Sequence, residues 1–236
     1  MRTFRLCTSL TSALILLAPS LRAQNPARTP VAELRLHIAT APLSTHHIIT
    51  AVAWLDPLGN TPALAFTSQS RYTLLQKNRT FIPHVQVVPV GSVVQFPNAD
   101  PFFHNVFSMF DGKRFDLGLY EAGSSKAVTF SRPGVSYIFC NIHPEMSAVI
   151  ISLSTPLYSI GEPSKALEIH NIPPGDYRLH VWVEGALPGS LPRLSRDLHL
   201  SPGTTDLGSL SVPIGTNATH TNEFGKAYDR QPATPY

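Results

Sequence analysis

Charge is scarce in this 236-residue chain, with Asp, Glu, Lys and Arg making up 14% of it. No basic run or stripe is present, which argues against nucleic acid or an anionic membrane surface as a partner. Long uninterrupted patterns are missing too. The 22 prolines and 14 glycines break the chain too often for a long amphipathic helix, since proline removes a helical donor and clashes with the preceding turn. Helical bundles and coiled coils are excluded. No apolar run reaches the roughly 20 residues needed to cross a bilayer, so no membrane span is expected. What remains is 43% hydrophobic residues, enough to bury a core and to exclude a disordered chain. The length suits one large or two small domains.

Cysteine is nearly absent, with two residues, Cys7 and Cys140. The first lies in a segment where Arg2 and Arg5 precede an apolar stretch, Ser12–Ala18, that ends near Leu21-Arg22-Ala23. This reads as a secretory signal peptide over residues 1–23. Export is expected, with the bacterial periplasm as the compartment. Losing Arg2, Arg5 and Arg22 takes the 18 basic residues to 15, equal to the 15 acidic ones, so the exported chain is formally neutral. Cys140 is then a lone thiol in an oxidising compartment. Four roles are open to it: a deeply buried side chain, a nucleophile, an intermolecular bridge, or a ligand to a soft metal.

After a flexible leader at 24–30, short alternating segments follow. Leu34, Leu36 and Ile38 alternate with Arg35 and His37, and an apolar run over 48–55 ends at the turn Asp56-Pro57-Leu58-Gly59-Asn60. Strand candidates then recur at 72–76, 85–90, 92–96, 104–110, 114–120, 126–130, 135–140 and 147–153. Such spacing points to an all-β sandwich or barrel. Asp111-Gly112 suits a tight hairpin and Pro133-Gly134 opens the strand before Cys140; antiparallel pairing is expected throughout. A second group spans 165–169, the strictly alternating Tyr177–Val183, which reads as one apolar and one polar sheet face, then 195–200 and 207–212. These are few strands for a sandwich, and the strands of 31–70 are available to complete it. The expected organisation is therefore a middle domain over 71–153, an accessory β-sandwich over 154–212, and a disordered tail over 213–236.

Chemistry concentrates in Phe139-Cys140-Asn141-Ile142-His143-Pro144-Glu145-Met146. A thiol, an imidazole and a thioether at intervals of three converge on one point if the loop is tight. Upstream, Asn98-Ala99-Asp100-Pro101-Phe102-Phe103-His104-Asn105 sets a second histidine at a loop-to-strand transition facing that loop. Two imidazoles and a thiolate with a weak axial thioether make up the ligand set of blue-copper electron-transfer sites. Taken singly, Cys140 reads equally well as a small buried hydrophobe and Met146 as core. His46-His47 reads as a solvated loop, and the acceptor patterns at Asn78-Arg79-Thr80 and Asn217-Ala218-Thr219 are expected by chance.

With these residues, the region of 71–153 resembles the cupredoxins, the type 1 blue-copper proteins. Its short ligand loop, with Pro144 directly after the histidine, is most similar to amicyanin, and the longer arrangement resembles plastocyanin-like proteins of the exported bacterial methylamine-utilisation type. The resemblance implies a Greek-key sandwich holding one copper, cycling between Cu(I) and Cu(II), on His104, Cys140, His143 and Met146. It further implies that Asn105 braces the ligand loop and that His143 is the electron port in an apolar docking patch. Pro144 lacks an N–H and so removes one possible donor near the sulfur. Phe102 and Phe103 are expected to exclude water from the site, with one of them contributing to the patch. The flanking strands resemble transthyretin-like or carboxypeptidase-regulatory-like sandwiches.

The function expected is single-electron shuttling between redox partner proteins by a monomer, without catalysis. Multicopper oxidases need His-x-His clusters, and dinuclear electron-entry sites need two cysteines; the chain has neither arrangement. A thiol hydrolase using His143 as base would leave Met146 and His104-Asn105 unexplained. The competing reading is copper storage, delivery or sensing. Proteins that exchange copper favour exposed Met-rich or His-rich sites, whereas only Met109 and Met146 follow the leader. A third reading, carbohydrate or cell-envelope binding by the accessory sandwich, finds no recognisable site in 156–212.

Overall fold

The computed structural model describes residues 30–40, 49–68, 71–109, 112–215 and 226. The expectations for the signal segment, most of the leader, His46-His47, Asp111, Asn217 and most of the tail fall outside these residues. The described chain is all-β apart from one 3₁₀ turn at Leu191–Leu194. No helix among the described residues is long and apolar enough to cross a membrane.

The strands are β1 (Ala32–Thr40), β2 (Ala51–Pro57), β3 (Tyr72–Thr73), β4 (Leu75–Lys77), β5 (Thr80–Ile82), β6 (Val85–Pro89), β7 (Ser92–Pro97), β8 (His104–Ser108) and β9 (Phe115–Tyr120). They continue with β10 (Ser125–Phe130), β11 (Gly134–Phe139), β12 (Ser147–Leu153), β13 (Tyr158–Gly161), β14 (Leu167–Ile172), β15 (Gly175–Val183), β16 (Arg196–Leu200) and β17 (Gly203–Val212). Four sheets result, in strand orders β14-β1-β17, β13-β2-β15-β16, β6-β12-β11-β8-β9 and β10-β7-β3, with β4 and β5 forming a separate hairpin.

Period-two alternation decides which layers meet, because successive side chains of a strand point to opposite faces. On β2 and β15, Ala51, Ala53, Leu55, Tyr177, Leu179, Val181 and Val183 share one core with β1, β14 and β17. The opposite faces send Val52 and Trp182 into a second cluster with Val149, Ile151 and Leu153 of β12. The intervening residues Ala148 and Ile150 face a third cluster containing Val94, Phe96, Val106, Phe130, Cys140 and Met146. The sheets therefore stack four deep, and the two inner ones are covered on both faces.

Two expectations change here. The face of β15 carrying His180 and Trp182 is not a free polar face: Trp182 is 3% exposed, and its Nε1–H donates to the Tyr137 hydroxyl of β11 at 3.0 Å. Pairing is not antiparallel throughout either. β1 runs parallel to β17, β6 to β12 and β3 to β7. Parallel neighbours require a connection that crosses the sandwich, and alternation within a strand carries no information about the direction of its partner.

β1 and β2 pair only with strands from beyond residue 157, so the middle unit of β3–β12 lies between two parts of the outer sandwich in sequence. Besides the shared apolar seam and the Trp182–Tyr137 hydrogen bond, a further polar contact joins the units. His84 Nε2 lies 2.7 Å from Glu184 Oε1, while its Nδ1 lies 3.1 Å from the Ser147 carbonyl.

Candidate metal centre

One end of the middle sandwich is built from three segments: the loop before β8, the loop after β11, and the tip of the β4–β5 hairpin. The first turns on Asn98, whose Nδ2 donates to the carbonyls of Phe102 and Tyr120 at 2.8 and 3.4 Å, and whose Oδ1 accepts the Asp100 N–H at 3.0 Å. Such an Asx turn is a side chain standing in for backbone. It delivers His104 to the start of β8, opposite Tyr120 of β9, and the imidazole is fully buried. The second loop leaves β11 at Cys140 and rejoins the sheet at Ser147. The Met146 N–H donates to the His143 carbonyl at 3.0 Å and the Cys140 N–H to the Met146 carbonyl at 3.3 Å, closing it tightly.

These two loops bring three ligand-type atoms together. His104 Nδ1 and His143 Nδ1 are 3.1 Å apart, and Cys140 Sγ lies 3.7 Å from the first and 3.6 Å from the second. They form the one His, Cys and carboxylate group of metal-ligating size among the described residues. A triangle with these sides has a centre about 2.0 Å from every corner, which matches metal–imidazole bonds of about 2.0–2.1 Å and is slightly short of the 2.3 Å of a metal–thiolate bond. The donor set and its dimensions fit a soft or borderline metal ion.

Met146 is fully buried in the same cluster as Cys140. Asn105 makes two hydrogen bonds near the site. Its Nδ2 donates to Asp116 on β9 at 2.8 Å, while its backbone N–H points at the Cys140 sulfur. Two further backbone N–H groups, of Ile142 and His143, also face that sulfur. Pro144, next in the chain, is exposed and has no N–H to add. Phe102 is half-buried against both imidazoles, with centroid distances of 5.2 Å to His104 and 5.5 Å to His143, while Phe103 is 55% exposed.

Electrostatics at the site follow from burial. Burial pushes the Cys140 thiol up from its ordinary range, against the three N–H donors, which favour the thiolate. Burial and the neighbouring His104 push His143 down, which favours the neutral imidazole and its lone pair. Asp100 is a site residue that the sequence reading misses. Its Oδ2 is 2.9 Å from His104 Nε2, and although burial works against its charge, hydrogen bonds from the Arg79 N–H, His104 and the Asn78 N–H hold its carboxyl below the usual range. Its position four residues before His104, in an Asn-x-Asp turn, is the signal that could have identified it.

No family model matches the chain, and no curated protein does. Among solved structures it is similar to a purple cupredoxin from Nitrosopumilus maritimus, at 22% identity and a TM-score of 0.32 over 36% of this chain and 100% of the other. It is also similar to a copper-containing nitrite reductase from Thermus scotoductus, at 24% identity and a TM-score of 0.34 over 50% of this chain and 28% of that one. A variant of amicyanin in its Cu(I) form aligns at 17% identity and a TM-score of 0.33, over 43% of this chain and 98% of the other.

Proposed function

We propose that this is an exported type 1 copper protein that passes single electrons between redox partner proteins and is not itself an enzyme. The observation that carries the reading is the convergence of one thiol and two imidazole nitrogens within 3.1–3.7 Å at a buried sandwich end. When bound, one copper supplies a one-electron couple between Cu(I) and Cu(II). Cys140, His104 and His143 would hold it, with Met146 as the weak fourth ligand.

The chain's own residues supply what an electron-transfer site needs. His104 is locked by β8 and by Asp100, and the other ligands by a seven-residue loop closed through two backbone hydrogen bonds. Little reorganisation is then available to the ligands. Three N–H groups on the sulfur temper its electron donation, and Phe102 keeps water from both imidazoles. His143 is the ligand that reaches the surface, between exposed Ile142 and Pro144. An electron would enter and leave by this edge during brief contact with a partner through a small apolar patch that includes Phe103. The burial of Cys140 and His104 favours this reading over copper handling, which calls for exposed, readily exchanging ligands.

The test is the visible and electron paramagnetic resonance spectrum of the Cu(II)-loaded chain beside Cys140→Ser and His104→Ala. An intense blue thiolate-to-copper band that ascorbate bleaches, and that Cys140→Ser lacks, is expected. A colourless wild type that binds copper weakly would overturn the proposal. Rapid loss of copper to a chelator from an otherwise blue wild type would favour handling instead.

A further inference from the structure

Among the groups at this end of the sandwich, Asp100 is a fixed charge for which the ligand set alone provides no task. Its carboxyl is 5% exposed and faces His104 Nε2 at 2.9 Å. Oδ1 accepts the Asn78 N–H at 2.6 Å, and Oδ2 also accepts the Arg79 N–H at 3.0 Å. Both donors sit at the two-residue tip of the β4–β5 hairpin, where Asn78 and Arg79 have φ of 56° and 53°. Such a left-handed pair is the backbone of a type I′ turn, and here it turns two successive N–H groups onto one carboxylate. The same tip reaches the site a second way: the Arg79 guanidinium lies 5.3 Å from the Phe102 ring centre, and that ring packs on both imidazoles.

A neutral imidazole has one N–H and one lone pair, and an ionised carboxylate can only accept. Facing Asp100, a neutral His104 therefore carries its proton on Nε2. The lone pair then falls on Nδ1, the nitrogen that faces Cys140 and His143. A carboxylate behind a ligating imidazole also makes that imidazole a stronger donor. In a site shielded from water, its negative charge favours the doubly charged state of an ion over the singly charged one.

We propose that Asp100, gripped by the Asn78–Arg79 hairpin tip, is a positioning residue for His104 that sets its tautomer and biases the site toward Cu(II) over Cu(I). The bias rests on the copper reading above; the tautomer does not. A purely structural Asp100, tying the hairpin to the loop before β8, would weaken both copper states alike.

The experiment uses the full chain. Nitrogen-15 imidazole spectra of the metal-free wild type should show His104 protonated at Nε2; a bare Nε2 overturns the proposal without any variant. Dissociation constants for Cu(II) and Cu(I), from competition with chelators, are then compared for wild type, Asp100→Asn and Asp100→Glu. Asp100→Asn should weaken Cu(II) binding by about 10–100-fold and Cu(I) binding about tenfold less than that. That tenfold change in ratio is equivalent to a rise of about 59 mV in potential. Asp100→Glu should restore most of the ratio. Equal losses for both copper states, or no loss, overturn the bias. A wild type with Nε2 protonated but no blue band sinks the copper reading and leaves the His104–Asp100 pairing standing, so the two failures are distinguishable.

Discussion

The two sandwiches place the same chemical groups in opposite surroundings. In the outer one, His199 and Asp176 approach to 2.7 Å with side chains 70% and 64% exposed, and Arg178 and Asp197 pair at 2.7 Å with 50% and 57% exposed. In the middle one, His104 and Asp100 sit 2.9 Å apart at 0% and 5%. The shorter pairs are the less consequential ones, since water screens exposed charges and their long side chains lose entropy on pairing. Distance alone does not mark a site; burial of several polar groups at the end of a sheet does. In the outer sandwich these pairs are exposed, and alternation serves packing. The middle one gives up an end of its core to imidazoles, a thiol and a carboxylate, and there chemistry becomes available.

The largest effect is expected at the seam between the sandwiches. Trp182→Ala should cost about 3–5 kcal/mol, as large buried aromatics do, and it also removes the donor to the Tyr137 hydroxyl. Denaturant unfolding followed by tryptophan fluorescence and by circular dichroism should then lose coincidence, the outer unit melting first. A single shared transition at the wild-type midpoint would show that the units do not depend on the seam.

Next comes the outer core. Leu179→Ala, fully buried, should cost about 2–5 kcal/mol and leave the spectrum of the copper-loaded site unchanged. A changed spectrum would mean that the outer core shapes the metal centre, which would break the division of labour drawn above.

A smaller effect is expected at the polar link. The hydrogen bond to Glu184 is the main reason the His84 imidazole is held above its ordinary value, with burial opposing it. A histidine raised in the folded state stabilises fully below its unfolded value of about 6.5 and loses that contribution as pH rises through the folded value. Glu184→Gln should therefore lower the unfolding midpoint more at pH 6 than at pH 9. A difference independent of pH would assign Glu184's role to its hydrogen bond with the Thr50 N–H rather than to His84. The smallest effect belongs to Arg178→Ala: thermal unfolding should be unchanged within error, and a clear drop would mean that exposed pairs matter more in this sandwich than screening allows.

Much of the strand content is legible in the sequence because alternation is local. The segment 147–153 is β12 as read, and 92–96 lies within β7. Short strands with weak alternation are harder, and β5 and β13 escape notice for that reason. The parallel pairings escape too, as do the two-sided burial of β2 and β12 and the contact of Trp182 with the middle unit, because each depends on a partner distant in the chain. At the site, the spacing of Cys140, His143 and Met146 singles out the loop, and the structure brings Cys140 and His143 of that loop together. His104 needs the expectation that a second loop comes to face them. Asp100 and the hairpin tip are invisible to spacing, since nothing in Asn78-Arg79 signals two backbone donors aimed at a carboxylate twenty residues on.

Chain-local patterns suffice for an all-β chain, because proline and glycine forbid long helices while period-two alternation survives, and for the clustering of chemistry in the loop from Cys140 to Met146. Packing between distant segments is what stacks the sheets four deep, brings His104 to Cys140 and His143 at bonding range of a common centre, and sets a buried carboxylate behind His104. The first two properties depend on neighbours in the chain. The others depend on which distant segments exclude water from one another, and that is settled only when the layers pack.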